Sequence, residues 1–539
     1  MSALEVRDLA VEYQGRRSAV RAVDGISMSI APGELVAVVG ETGSGKTTAA
    51  LAAIGLLPET AKRVRGSVAV GGRDITGWNR RRLRALHGTE IGLIPQDPTS
   101  SLDPLVTVGK QVAEAIRIHR GRHDLTSEVH ELLHRVGLSD PERIARSYPH
   151  QLSGGQRQRA LIAGAIALKP ALLVADESTS ALDVTMQRRV LDLLDDLRRE
   201  EGTGILLVTH DLAVAAERAN HIVVLQHGTV QDAGPAATIL GGGTSAYTRE
   251  LVASAPALRA PQPRTPIGQR EPAGGSEAQA AGIRIRGLEK RFAGAREVLA
   301  VRGVDLDVLP GTTHSIVGES GSGKSTIARI VAGLDDASAG SVTVAGMEPS
   351  TVAAAAKKRE FRRRVQLVYQ SPYASLNPSR SIIDTVSEPI FRFGIADRRE
   401  AKRRAASLLD RMQLPSTLHE RRPEELSGGQ RQRVAIARAL APQPEVVVLD
   451  EPVSALDVSV QAQILDLLDE LQRERALTYL FISHDLAVVR QISDAVTVLQ
   501  HGAVEETGPT ERIFTAPQAE YTRRLLEAIP TVDPTLLHH

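Results

Sequence analysis

Two stretches carry the residue types that hold a polyphosphate. They are Gly40-Glu41-Thr42-Gly43-Ser44-Gly45-Lys46-Thr47-Thr48 and Gly318-Glu319-Ser320-Gly321-Ser322-Gly323-Lys324-Ser325-Thr326. Both fit the pattern G-x-x-x-x-G-K-[ST]. Glycines at this spacing permit backbone angles that turn successive N–H groups inward as an anion nest. A following helix adds the positive end of its dipole. Lys46 and Lys324 are assigned to the β- and γ-phosphates, and Thr47 and Ser325 to Mg²⁺.

Hydrolysis of a triphosphate also needs a carboxylate for the metal and a group that activates water. Ala171–Ala175 runs apolar into Asp176-Glu177, and Glu445–Leu449 runs into Asp450-Glu451. A carboxylate at the end of a buried strand is costly unless a cation or hydrogen bonds compensate it. Asp176 and Asp450 are therefore assigned to the Mg²⁺ shell, and Glu177 and Glu451 are the candidate general bases. Ile205–Thr209 leads into His210, and Tyr479–Ser483 leads into His484. A lone histidine after a strand is usually structural, but one that recurs in register is a candidate for meeting the γ-phosphate.

The elements that must position these groups are legible as apolar runs. Leu35–Val39 and His314–Val317 read as buried strands ahead of the loops, and Thr48–Gly55 as a helix after the first. Several such strands separated by helical stretches imply an α/β fold with an open parallel sheet and ligand at the strand carboxyl ends.

The chain repeats itself. Leu152–Arg159 recurs as Leu426–Arg433, Ser180–Val184 as Ser454–Val458, and His210–Val214 as His484–Val488. Gly43–Lys46 recurs as Gly321–Lys324. The offset is 274 for the first three and 278 for the last, so the second copy is four residues shorter between Lys324 and Gln370. A period this long marks a duplicated domain, not a solenoid. The expected domains are residues 3–252 and 283–530. Residues 253–282, rich in Pro, Ala and Gly, are expected to form a flexible linker with a reach of roughly 25–30 Å. Residues 531–539 are expected to be a tail. Arg80–Arg82 and Arg362–Arg364 are read as solvated helix faces.

Composition sets outer limits. Of 539 residues, 65 are Lys or Arg and 64 Asp or Glu, a net charge of +1 that argues against broad nucleic-acid binding. With 7 Tyr, 6 Phe and 1 Trp, base-stacking platforms are also disfavoured. The absence of cysteine rules out disulfides and thiolate-held iron–sulfur or zinc sites. The apolar runs are strand-sized, well short of the ~20 residues of a spanning helix. The start, Met1–Asp8, does not read as a signal peptide.

At Leu-Ser-Gly-Gly-Gln the residues carry a resemblance. The chain resembles the ATP-binding subunits of ABC transporters, and in each half the likeness covers nearly the full length. It implies two ABC ATPase domains, each with a parallel-sheet core, an antiparallel β subdomain and a helical signature subdomain. Ser153-Gly154-Gly155-Gln156 and Ser427-Gly428-Gly429-Gln430 match the signature, and in that family each ATP lies between one domain's phosphate loop and the other's signature. Lys46 is thus paired with Ser427, and Lys324 with Ser153. Tyr13 and Phe292 match the aromatic that stacks on adenine. Gln96 and Gln370 match the glutamine that senses Mg²⁺ and the membrane partner. Asp183 and Asp457 match the aspartate that communicates across the dimer, and His210 and His484 the switch histidine. Both sites are expected to be hydrolytically competent. Ser178 in place of Pro452, and Gly164 in place of Arg438, leave room for unequal rates.

Within that family the chain looks most like the dipeptide, oligopeptide and nickel importer branch. The carriers are Gln96–Pro104, Gln370–Pro378, Tyr148–Gln156 and the tails Ala246–Val252 and Glu520–Leu526. The resemblance implies ATP and Mg²⁺ as ligands and two membrane-spanning permease subunits as partners. It also implies an extracytoplasmic solute-binding protein acting indirectly, and a place on the cytoplasmic face of the membrane. Many relatives hold an iron–sulfur cluster after the tail, which a chain without cysteine cannot. The alternatives are a soluble tandem ATPase acting on ribosomes, an importer ATPase for nickel or glutathione-like substrates, and a fused exporter ATPase.

Overall fold

A computed structural model describes residues 2–15, 19–121, 124–179, 182–258, 282–293, 297–351, 354–371, 375–454 and 456–530. Most of the expected linker and the expected tail, 531–539, lie outside the described residues. The described residues fall into two compact units, 2–258 with Pro530 and 282–529.

Among the described residues the first unit has ten strands: β1 (Leu4–Gln14), β2 (Ala19–Ile30), β3 (Leu35–Val39), β4 (Ala61–Val70), β5 (Arg73–Asp74), β6 (Ile91–Ile94), β7 (Leu172–Asp176), β8 (Gly204–Val208), β9 (His221–Gln226) and β10 (Thr229–Pro235). Six form one sheet in the order β10-β9-β3-β8-β7-β6. Every residue of β3, β7 and β8 is buried, as expected of strands covered on both faces. The sheet is not wholly parallel: β10 folds back antiparallel on β9 at the edge. Only two residues, His227 and Gly228, separate these strands, too few for a parallel crossover.

A second, antiparallel sheet has the order β2-β1-β4-β5. One apolar cluster joins the two sheets through Leu4, Val6, Leu9, Val36, Val38, Leu206 and Val208. The helix Lys46–Ala53 supplies Ala49, Ala50, Ala52 and Ala53 to that cluster. These small side chains let the helix that follows the phosphate loop lie close on the sheet. A third layer is helical: Val108–Arg120, Thr126–Arg135 and Pro141–Arg146 pack together, and the first two also pack on Gly154–Ile166.

The second unit repeats this plan with β11 (Ile283–Phe292), β12 (Val298–Val308), β13 (Thr313–Val317), β14 (Ala339–Val344), β15 (Val365–Val368), β16 (Val446–Asp450), β17 (Thr478–Ile482), β18 (Ala495–Gln500) and β19 (Ala503–Pro509). Its main sheet runs β15-β16-β17-β13-β18-β19 and its antiparallel sheet β12-β11-β14. The four missing residues come out of one strand. β4 has ten residues and β14 has six, while Leu4 pairs with Val70 as Ile283 pairs with Val344.

The arginine clusters fall on helices Arg80–Leu86 and Ala355–Arg364. Two members are not merely solvated. Arg82 lies 4.3 Å over the Trp78 ring, and Arg364 makes a two-pronged ion pair with Glu445 at 2.5 and 2.6 Å.

Candidate active site

The phosphate loops sit where the sequence places them, between β3 and Lys46–Ala53 and between β13 and Lys324–Val331. Gly45 and Gly323, at φ 99° and 101°, open these helices, and neither helix has a side-chain cap. The first N–H groups of a helix have no intrahelical partner, so each helix turns its N-terminal end toward its own loop. A Cβ on Gly40 would stand 2.2 Å from the Leu225 carbonyl oxygen, and one on Gly318 would stand 2.1 Å from that of Leu499. Only glycine fits there. The buried Ser44 hydroxyl has no hydrogen-bond partner among the described residues, an unmet polar group inside the loop.

Lys46 is 5 % exposed and its Nζ donates to the carbonyls of Gly40 (2.7 Å) and Glu41 (2.9 Å). Lys324 does the same to Gly318 and Glu319, both at 2.8 Å. Each ammonium is thereby held inside its own loop. The Thr47 hydroxyl donates to Asp176 Oδ1 at 3.1 Å, and Ser325 to Asp450 Oδ1 at 3.1 Å. A hydroxyl and a carboxylate, both hard oxygen donors, fit a Mg²⁺ ion that takes its other ligands from phosphate and water. Among the described residues no group of three His, Asp or Glu could hold a metal alone. Burial, with the neighbouring Glu177 charge, pushes the Asp176 carboxyl up to about 6 against the Thr47 hydroxyl and the Lys46 charge. Burial likewise raises Asp450.

Glu177 is gripped on both carboxylate oxygens. Gln96 Nε2 donates to Oε2 at 2.7 Å, and His210 Nδ1 lies 3.5 Å from Oε1. In the second unit Gln370 donates to Glu451 at 2.8 Å and His484 stands at 3.3 Å. Burial opposes the charge on Glu177, but His210, Lys46 and Gln96 together outweigh it and hold the carboxyl below its usual value. Glu451 is lowered by the matching set. The histidines shift the other way: burial resists their protonation, and the facing glutamates overcome it. Each glutamate is thus ionised at neutral pH. Both also have left-handed backbones, φ 44° at Glu177 and 47° at Glu451. Such a conformation costs a non-glycine residue ~1–3 kcal/mol and clusters at functional sites. Their N–H groups donate to Val208 and Ile482 at the ends of the neighbouring strands, which fixes the turn.

Other expected residues have specific surroundings. The Tyr13 hydroxyl lies 3.3 Å from the Thr48 hydroxyl, at the start of the loop helix. Phe292 ends β11, is 42 % exposed, and has the Lys290 ammonium 5.2 Å from its ring centre. Ser153 and Ser427 cap Gly154–Ile166 and Gly428–Leu440. Each accepts from the N–H of Gln156 or Gln430, whose side chain accepts in return from the serine N–H. Within its own unit each signature serine is therefore a helix cap, and its hydroxyl hydrogen remains available to donate. Asp183 caps Val184–Glu201 through the Met186 N–H at 3.0 Å. Asp457 occupies the matching N-cap position.

One pair of residues had no role assigned from sequence. The Tyr247 hydroxyl accepts from the Glu41 N–H at 3.3 Å, and the Tyr521 hydroxyl from the Glu319 N–H at 3.1 Å. Their signal was the repetition of Tyr-Thr-Arg in the two tails.

Fold and site together define a phosphate-loop ATPase built twice in one chain. Residues 23–180 and 301–454 match the ABC transporter family, and residues 505–538 match the oligopeptide/dipeptide transporter C-terminal region. The chain belongs to the ABC transporter family as a tandem ATPase. It is 40% identical to the oligopeptide transport ATP-binding protein OppD of Mycobacterium tuberculosis, over 98% of this chain and 99% of the relative. It is 40% identical to the glutathione import ATP-binding protein GsiA of Salmonella typhimurium, over 99% of this chain and 90% of the relative. A solved dimeric bacterial ABC transporter cassette matches 42% of this chain and 98% of its own, at 31% identity and a TM-score of 0.40. Among the described residues no helix is long and apolar enough to cross a membrane.

Proposed function

We propose that this chain is the ATP-hydrolysing, energy-coupling subunit of an importer for short peptides. The observation that carries it is the doubled set of catalytic contacts. In both units a loop hydroxyl meets an aspartate, and a glutamine and a histidine hold the adjacent glutamate. Oligopeptides and glutathione, named for the two relatives, are both short peptides.

Lys46 and Lys324 bind the β- and γ-phosphates. Tyr13 and Phe292 stack on adenine. Thr47 with Asp176, and Ser325 with Asp450, would hold Mg²⁺, with Gln96 and Gln370 beside them. Bound there, the ion neutralises phosphate charge. Glu177 and Glu451 take the proton of the attacking water, each aimed by its glutamine and kept ionised by its histidine. The pairing of Lys46 with Ser427 and of Lys324 with Ser153 rests on the sequence resemblance. The chain acts at the cytoplasmic face of the membrane with two membrane-spanning permease subunits, fed by an extracytoplasmic solute-binding protein.

The test is a mild-detergent purification of the tagged chain from its own host, with mass spectrometry of what accompanies it. Two multi-spanning membrane proteins and a solute-binding protein are the expected result. Ribosomal proteins without a membrane partner would move the function to translation.

A further inference from the structure

In each unit the last helix reaches back to the phosphate loop through one hydroxyl. Tyr247 is the second residue of Ala246–Ser254, and Tyr521 the second of Glu520–Glu527. Each accepts from the N–H of the second loop residue, Glu41 or Glu319. The carbonyl of that same residue accepts from the phosphate-binding lysine, at 2.9 Å in the first unit and 2.8 Å in the second. It also accepts from the Ser44 or Ser322 N–H. Tyrosine, loop residue and lysine thus form a continuous line.

The tyrosine end of the line is anchored. Asp232 on β10, 8 % exposed, accepts from the N–H groups of Thr244 (3.1 Å) and Ser245 (2.9 Å) and from the Thr244 hydroxyl, just ahead of the helix. Glu506 on β19, 7 % exposed, accepts from the N–H groups of Gln518 (3.1 Å) and Ala519 (3.0 Å). These hydrogen bonds hold both carboxyls below their usual values against the effect of burial. The Tyr521 ring is buried in an apolar cluster with Val317, Val489, Val498 and Leu525. A buried carboxylate therefore sets the start of each helix, and the helix sets the hydroxyl.

We infer that Tyr247 and Tyr521 are positioning residues that set ATP affinity by holding the Glu41 and Glu319 peptides, and through them the phosphate-binding lysines. The inference rests on the ATP-site reading above and extends it to the C-terminal region of each unit. A loop whose second peptide is pinned needs less ordering when the phosphates enter.

The double variant Y247F/Y521F keeps both rings and removes only the hydroxyls. In the full-length chain, its dissociation constant for a fluorescent ATP analogue and its KM for ATP are expected to rise about five-fold, the scale of one neutral hydrogen bond per site. Its kcat should stay within about two-fold, and its nucleotide-free melting temperature within about 2 °C of the parent. Unchanged affinity and KM, in a parent that binds ATP, would overturn the inference and leave the ATP sites standing. Weaker binding with a melting temperature down by more than about 5 °C would assign the hydroxyls to stability, which also overturns it. A parent chain that binds no ATP would remove both readings together.

Discussion

Gln96 donates a 2.7 Å hydrogen bond to Glu177, 81 residues further along the chain. The two residues follow β6 and β7, adjacent parallel strands of one sheet. The contact takes one carboxylate oxygen and leaves His210 to face the other, so an amide and an imidazole together fix the direction of the carboxylate. Gln370, Glu451 and His484 repeat the arrangement.

Removing the base should separate binding from turnover. Glu177→Gln with Glu451→Gln should lower steady-state ATP hydrolysis ~10²–10⁴-fold, the usual loss of a general base. ATP should still bind, and the nucleotide recovered after gel filtration should be ATP, not ADP. Parental turnover in this double variant would remove both glutamates from that role.

The loop glycines are not equivalent. A Cβ on Gly43 meets nothing within 4 Å, whereas one on Gly40 would strike the Leu225 carbonyl oxygen. Gly43→Ala should lose only the backbone cost of a positive φ, roughly 1–2 kcal/mol. Gly40→Ala adds a backbone collision worth roughly 1–3 kcal/mol more and should weaken ATP binding as well. Chemical denaturation with nucleotide titration checks both, and equal losses would contradict the geometry.

Acid should weaken the second unit through a residue the first lacks. His314 lies in β13, where the first unit has Val36 in β3. It is buried, with Nε2 2.8 Å from the Thr497 hydroxyl. Burial pulls its pKa down to about 4, against a smaller opposite effect of Asp307. The folded unit rejects a proton that the unfolded chain accepts below about pH 6.5. The stabilisation is complete above pH 6.5 and is lost as the pH falls toward 4, a change on the order of 3 kcal/mol. His314→Val should flatten that part of the stability–pH curve in urea denaturation. An unchanged slope would show that the imidazole is not its source.

Gly164 and Arg438 hold the same place in the two signature helices. A Cβ on Gly164 meets nothing within 4 Å, so Gly164→Ala should stabilise the first unit by roughly 0.5–1 kcal/mol through helix propensity alone. Arg438 donates to the Ser375 carbonyl, a few residues after Gln370. Arg438→Ala should destabilise the second unit by ~1–3 kcal/mol, because the charge-assisted hydrogen bond to that carbonyl is lost. Calorimetry of the two single variants would show opposite signs. The same sign in both would be evidence against this account.

Some of the site was legible because it is local. The two phosphate loops are contiguous, and each lies between a run of buried β residues and a helix of small or apolar ones. The acid pairs at the ends of β7 and β16 stood out because a charge directly follows an apolar run. The expected edge of the sheet was less accurate. Apolar periodicity reports a buried strand but not its direction, so the antiparallel return of β10 on β9 and β19 on β18 was hidden. The signature serines were expected to pair with the other unit's phosphate loop, and within its own unit each is a helix cap.

The sequence by itself determined which loops carry the phosphate-binding pattern, which strand-end carboxylates are candidates to work with them, and that the whole set occurs twice. Only the tertiary structure decided the partnerships. Thr47 meets Asp176 across 129 residues and Glu41 meets Tyr247 across 206. These distances close because β3 lies beside β8 and β9 and not beside its neighbours in sequence. Local propensity and spacing specify a strand or a turn. The order in which strands pair is set by burial summed over the whole sheet, and no short stretch of sequence carries it.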